Sequence, residues 1–143
     1  MQLFLDANIL FSAAISPKGR CQSFWDFAEQ GYCNLLTSPH ALLETERNLL
    51  AKYPNQLEYF NTNLRPFLTV VKEASATRIK WAIVLGLPLK DAPILATAVE
   101  SQADFLVTGD RQHFAFLYGK TIEGIVIVDP ATAITLLLLS SPH

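Results

Sequence analysis

The chain has 143 residues, 50% of them hydrophobic, and a formal net charge of −2 at pH 7. That length suits a single domain spanning residues 1–143, and so apolar a composition excludes a disordered segment and provides for a real core. The charge excludes a globally basic nucleic-acid binder and leaves any anionic partner to a local patch.

Cys21 and Cys33 have no second Cys or His at ligand spacing, which reads as two reduced thiols rather than a metal site. No basic segment precedes the apolar N-terminus, and the apolar run 134–139 is far too short to span a bilayer. A cytoplasmic protein without a membrane partner is expected.

Residues 2–5 read as a buried strand, and Asp6 falls where that strand would leave the sheet, with the chain turning at Asn8 into a helix over 9–15. An Asp in that place is a turn residue and helix cap, or it is part of a site, and the residue alone does not decide. Ser16 to Arg20 form a turn, and its Lys18 and Arg20 are solvated loop charges or a phosphate contact. Residues 21–30 make an amphipathic helix ending at Gly31, and a strand over 33–37 follows. Ser38 and Pro39 then supply an N-cap and a first-turn proline for a helix over 39–53.

This helix offers two acids. On a helical wheel Leu42, Leu43, Leu49, Leu50 and Tyr53 form one arc with Glu46 near its middle, which makes Glu46 the odd acid on a buried face. Glu44 lies nearer the helix start and therefore nearer the strand end that carries Asp6, each residue adding about 1.5 Å. The two arguments oppose each other.

Residues 56–67 read as a further helix with Leu57, Phe60, Leu64 and Phe67 as its packing stripe, followed by a strand over 68–71 and a helix over 77–85. Asp91 opens a helix running to about 102, where it is a first-turn acid or a site residue. The run 104–107 is a strand ending in Thr108, Gly109 and Asp110, so a second acid lies just past a strand's carboxyl end. A strand over 126–128 and a helix from Pro130 complete the chain.

Strands alternating with helices argue for a mainly parallel sheet of about five strands covered on both faces. Every carboxyl end then points to one edge, where Asp6, Asp91, Asp110 and one glutamate converge. Carboxylates so close raise one another's pKa unless protons or a cation compensate them, and all-oxygen ligation suits magnesium or manganese. Such a site activates water and steadies charge on a phosphoryl group, which points to hydrolysis of a phosphodiester or phosphate ester. Setting the four acids aside from the net charge of −2 leaves about +2 on the remainder, compatible with RNA.

The sequence resembles the PIN-domain nucleases, especially the VapC-like toxin ribonucleases of toxin–antitoxin pairs. The resemblance runs over nearly the whole chain and rests on the order of four pieces: residues 5–8 (LDAN), Ser38-Pro39 through Glu44 with Asn48-Leu49, residues 91–98 (DAPILATA), and residues 106–110 (LVTGD) with Phe114. It implies a three-layer α/β/α PIN-like fold and a Mg²⁺- or Mn²⁺-dependent endoribonuclease that hydrolyses single-stranded RNA to leave a 5′-phosphate. It further implies a cognate antitoxin. Carried over by position, the catalytic and metal-binding acids are Asp6, Glu44, Asp91 and Asp110, with Asn8 and Thr108 as hydrogen-bonding supports. The match selects Glu44 over Glu46. A single acid at the start of the Asp91 helix leaves the second metal open.

Arg20, Arg111 and His113 are candidate contacts to RNA phosphate, with His113 equally readable as a surface loop residue. The mean hydropathy of +0.25 fits a homodimer or a bound antitoxin. Two other classes compete: a PIN module that binds RNA or protein without cutting, and a phosphatase using Asp6 as a covalent nucleophile. The latter family usually has a second Asp where this chain has Asn8.

Overall fold

The computed structural model describes residues 1–140. In chain order it comprises β1 (Gln2–Leu5), α1 (Ala7–Ile15), α2 (Gln22–Glu29), β2 (Asn34–Thr37), α3 (Pro39–Lys52), α4 (Gln56–Tyr59), β3 (Leu68–Val70), α5 (Ala76–Leu85) and α6 (Ala92–Glu100). There follow β4 (Phe105–Val107), α7 (Arg111–Phe114), β5 (Thr121–Ile122), β6 (Ile125–Val128) and α8 (Pro130–Ser140).

The sheet has six strands in the order β3-β2-β1-β4-β6-β5, all parallel except the β5–β6 pair. Leu3 lies opposite Leu35 on one side and Phe105 on the other, so β1 is flanked by β2 and β4 in matched register. Leu3, Phe4 and Leu5 are almost wholly buried, as a strand covered on both faces requires. Helices α1, α3, α5 and α6 pack on one another, while α2 packs against α8. Together with the sheet they make a three-layer α/β/α fold.

From β1 the chain winds to β2 and β3 on one side, and then returns to β4 and β6 on the other. The connections therefore leave β1 and β4 in opposite directions, and a crevice opens between their carboxyl ends. Asp6 follows β1 and Thr108 follows β4, each extending the ladder by one bond: Asp6 N–H donates to the Val107 carbonyl at 3.1 Å, and Thr108 N–H to that of Val128 at 3.1 Å.

Three expectations from the sequence are corrected. The helix over 56–67 is broken: α4 lasts one turn, residues Phe60–Leu64 form a π turn, and Arg65–Phe67 a 3₁₀ turn. Pro66 has no N–H to give, and the weak helix formers Asn61, Thr62 and Asn63 cannot hold the regular ladder before it. The Leu64 carbonyl accepts instead from the buried Trp25 indole at 2.9 Å. Phe67, assigned to the packing stripe, is 44% exposed.

The sixth strand, β5, was absent from the sequence reading. It joins β6 through Glu123 (φ 52°) and Gly124 (φ 86°), a tight turn whose two central residues both have positive φ and whose first lacks the usual Asn or Gly signature.

The buried face of α3 is also displaced. Ala41, Leu42, Thr45 and Leu49 form it, while Leu43, Leu50 and Tyr53 are 47%, 64% and 48% exposed. Glu46 is therefore not an acid on a buried face.

Candidate metal centre

Asp6 is the N-cap of α1. Its backbone is extended, and its Oδ1 accepts the Ala7 N–H at 2.6 Å. The cap and site readings of this residue are thus not exclusive, because the second oxygen is turned toward the crevice. That Oδ2 accepts from the Thr108 hydroxyl at 2.8 Å and from Asn8 Nδ2 at 3.2 Å. Asn8 Oδ1 accepts from Gly109 N–H at 2.8 Å, and Thr108 Oγ1 accepts from Asp110 N–H at 3.2 Å. The ends of β1 and β4 are tied across the crevice through these two side chains. A Cβ at Gly109 would stand 3.4 Å from Asn8 Oδ1, at the near limit of ordinary van der Waals contact.

Asp91 immediately precedes α6, and its side chain makes no capping bond. It is 5% exposed, and Pro93 occupies the first turn behind it. Asp110 caps α7, its Oδ1 accepting from His113 N–H at 3.2 Å. His113 Nδ1 stands 2.7 Å from Asp110 Oδ2 and 2.9 Å from Asp91 Oδ2. Asp91, Asp110 and His113 offer ligand atoms within 4.8 Å of one another.

Glu44 joins from α3. On that helix Glu44 and Asn48 lie on one flank of the buried face, toward the crevice, and Glu46 lies on the other, where it pairs with Arg65. A cleft of about 310 Å³ is lined by Asp6, Asn8, Glu44, Asp91 and Asp110, with Phe11, Asn48, Lys52 and Lys90 among its walls.

The electrostatics follow from this crowding. Burial, with the charges of Glu44 and Asp91 adding to it, raises Asp6 to about 6 against the lowering effect of the Thr108 and Ala7 hydrogen bonds. Asp91 is raised as well, first by burial and then by Asp110 and Glu44, while His113 and Lys90 oppose the rise. Glu44 thus acts on both Asp6 and Asp91, and Asp91 links that pair to Asp110.

The donor set fits a hard divalent cation. Asp91 Oδ2 is buried without a hydrogen bond: the His113 Nδ1 that stands 2.9 Å from it is engaged more closely with Asp110 Oδ2, at 2.7 Å. A buried carboxylate oxygen without a donor, beside other carboxylates, is what a cation satisfies and what water-free burial alone does not.

The remaining sequence candidates are placed otherwise. Lys18, Arg20 and Arg111 are exposed and do not line the cleft. Arg20 and Arg111 instead help hold Asp129 below the usual carboxylate range, after the hydrogen bonds from Thr132. The cations at the cleft are Lys52 and Lys90, which the sequence reading passed over; their signals were Lys52 eight residues beyond Glu44 on one helix flank and Lys90 adjacent to Asp91. His113 lies on α7, half-buried with its Nδ1 between two acids, rather than loose in a surface loop. Cys21 and Cys33 are buried free thiols, with burial pushing Cys33 up to about 11. No helix among the described residues is long and apolar enough to cross a membrane.

The fold is shared with solved structures of low sequence identity. A chain of the Rickettsia felis VapBC2 complex, bound to a DNA fragment from its promoter, superposes with a TM-score of 0.69 at 15% identity, covering 90% of this chain and 98% of that one. PAE2754 from Pyrobaculum aerophilum gives 0.66 at 18% identity over 98% and 97% of the two chains. VapC20 from Mycobacterium tuberculosis, described as a toxin cleaving the sarcin-ricin loop, gives 0.56 at 16% identity over 77% and 92%. No curated protein matches the chain by sequence. The family model of the PIN domain matches residues 2–112, and the chain belongs to the PIN-domain family.

Proposed function

We propose that the chain is a divalent-metal-dependent endoribonuclease acting on single-stranded RNA, in the cytoplasm, as the toxin of a toxin–antitoxin pair. The observation that carries the chemistry is the convergence of Asp6, Glu44, Asp91 and Asp110 on one cleft, with Asp91 Oδ2 buried and making no hydrogen bond. Asp6, Glu44, Asp91 and Asp110 would hold Mg²⁺ or Mn²⁺, which supplies Lewis-acid activation of water and charge stabilisation at phosphorus. Thr108 and Asn8 fix the Asp6 carboxylate in orientation before any ligand arrives. Lys52 and Lys90 supply positive charge at the cleft for the phosphates of a bound strand. The toxin role is supported by the fold shared with the VapC20 toxin and with a chain of the VapBC2 complex. The exposed Leu43 and Val70, in a groove with Pro39 and Leu42, suit an apolar partner segment, an antitoxin or a second copy of this chain.

The test is cleavage of a single-stranded RNA in Mg²⁺ or Mn²⁺, with EDTA, Asp6→Asn and Asp110→Asn as controls. Metal-dependent cutting lost in both variants is expected. Cutting that survives both variants would remove the site, binding without cutting would favour a silent module, and phosphatase activity trapped as an Asp6 adduct would favour the covalent reading. Growth arrest on expression alone, relieved by the product of an adjacent reading frame, tests the toxin role.

A further inference from the structure

The groove leading away from the carboxylates has two walls of different chemistry. On α3, Glu44, Asn48 and Lys52 recur every four residues, so a carboxylate, an amide and an ammonium stand in a row extending about 12 Å from the acids. On α1, Asn8 and Phe11 are three residues apart and share a face, so the ring follows the amide along the same cleft. The two helices pack on each other, which sets the rows side by side. At the far end Lys52 Nζ lies 5.9 Å from the centre of the Phe11 ring, and Tyr53 meets Phe11 with ring centres 5.9 Å apart at 57°. Tyr53 is 48% exposed and Phe11 only partly buried, so an aromatic surface faces solvent beside the acidic cleft.

A core does not require this arrangement. The tilted meeting of the rings is one that packed aromatic pairs also adopt, but these two stay partly exposed, have an ammonium over the Phe11 ring, and adjoin an amide able to donate and accept. Stacking on a ring, an amide at a base edge and a cation at the phosphate are the elements of recognition of an unstacked nucleotide. We propose that Phe11, backed by Tyr53, is a stacking platform for one flipped-out base of single-stranded RNA, with Asn48 at the base edge and Lys52 at the adjoining phosphate. This rests on the ribonuclease reading for the identity of the strand and extends it by naming a base subsite. A paired base in a duplex cannot offer its face to the ring, so the platform selects single strands or splayed loops.

The test is equilibrium binding in EDTA, using the Asp6→Asn/Asp110→Asn protein so that no strand is cut and charge repulsion is reduced. The probes are a fluorescently labelled 12-nucleotide RNA, an abasic strand of the same length, and a blunt duplex. Phe11→Leu keeps an apolar side chain in place, and Tyr53→Ala alters an exposed position; thermal melts check that both fold. Each is expected to weaken binding of the base-bearing strand, Phe11→Leu by about tenfold, and to leave the abasic strand within twofold. Lys52→Gln is expected to weaken both strands alike and to reduce the salt dependence by about 0.7 in the log–log slope.

If Phe11→Leu leaves the base-bearing strand unaffected, or weakens both strands equally, the platform is overturned. Tighter binding of the duplex than of the single strand overturns it too. Wild-type cleavage in Mg²⁺ or Mn²⁺ is scored separately. Cutting with no Phe11 effect removes the platform alone, and the expected binding pattern without cutting removes only the nuclease reading.

Discussion

Asp6→Asn should make the metal-free protein more stable at neutral pH, although it removes a proposed catalytic group. Burial lifts the Asp6 carboxyl from 3.8 to about 6 in the folded chain. An acid whose folded pKa is raised costs nothing below its unfolded value of 3.8, costs increasingly as pH climbs toward about 6, and costs its full amount above that. A rise of about two pKa units corresponds to roughly 3 kcal/mol of destabilisation at neutral pH. Asparagine removes this cost and retains the Oδ1 acceptor for Ala7 N–H. Its amide, however, replaces an oxygen that accepted from Thr108 and Asn8, returning about 1–2 kcal/mol.

The expected net gain is therefore about 1–2 kcal/mol above pH 6, read as a melting temperature several degrees higher. Below about pH 4 the lost hydrogen bonds remain and the gain vanishes or reverses. Thermal melts in EDTA across that range, for wild type and variant, give the difference directly. A difference that stays constant with pH refutes the reasoning, as does a variant less stable than wild type at pH 7.5. Added Mg²⁺ or Mn²⁺ should reverse the order, because wild type gains stability by ligand binding and the variant gains less.

Three further outcomes follow from the same geometry. Glu44→Gln should lower cleavage by at least about a hundredfold, since its carboxylate adjoins Asp6 and Asp91, whereas Glu46→Gln should keep wild-type rates and cost at most about 1 kcal/mol in melts, as the loss of a partly exposed pair with Arg65 implies. Thr108→Val removes the donor to Asp6 and the acceptor for Asp110 N–H, so it should destabilise by about 1–3 kcal/mol and reduce activity, and Thr108→Ser should restore both; equal behaviour of Val and Ser would contradict the hydrogen-bond role. His113→Ala should lower the metal-free melting temperature by leaving Asp91 and Asp110 facing each other, and divalent metal should restore more of it than in wild type, since the imidazole no longer stands between the two carboxylates.

Much of the architecture was legible because the signals are local. The strand at β1, the Ser38-Pro39 start of α3 and the Asp91-Ala92-Pro93 start of α6 each carry their chemistry within a few residues. Parallel order followed from alternation, and it placed Asp6 and Asp110 at one edge without any long-range information. What escaped depended on contacts distant in sequence. The buried face of α3 is chosen by where α1 and the sheet lie, and a wheel of hydrophobic residues cannot know that Leu43 and Leu50 face outward. The role of His113 depends on Asp91, 22 residues away in sequence and brought near only where the start of α6 approaches α7. The broken 56–67 segment hid behind a plausible apolar spacing, with Pro66 as the overlooked warning.

The fold explains why stability and site oppose each other at Asp6. Its Oδ1 is fixed by the start of α1 and its Oδ2 by Thr108 and Asn8, so the carboxylate is oriented before any cation is present. These bonds favour ionisation, yet burial and the neighbouring acids outweigh them and leave the group raised. A cation would turn the same burial from a cost into a source of affinity, because the low-dielectric surroundings strengthen attraction as much as they strengthen repulsion. The carboxylates are therefore held in a position that is unfavourable alone and favourable in company. The packing of α1 against α3, marked by the Thr45 hydroxyl of α3 reaching the Ala7 carbonyl of α1 at 3.4 Å, holds that position together with the proposed base platform. One helix pair thus positions Asp6 and Glu44 at one end of the groove and the proposed platform at the other, and their spacing cannot change without disturbing the core between them.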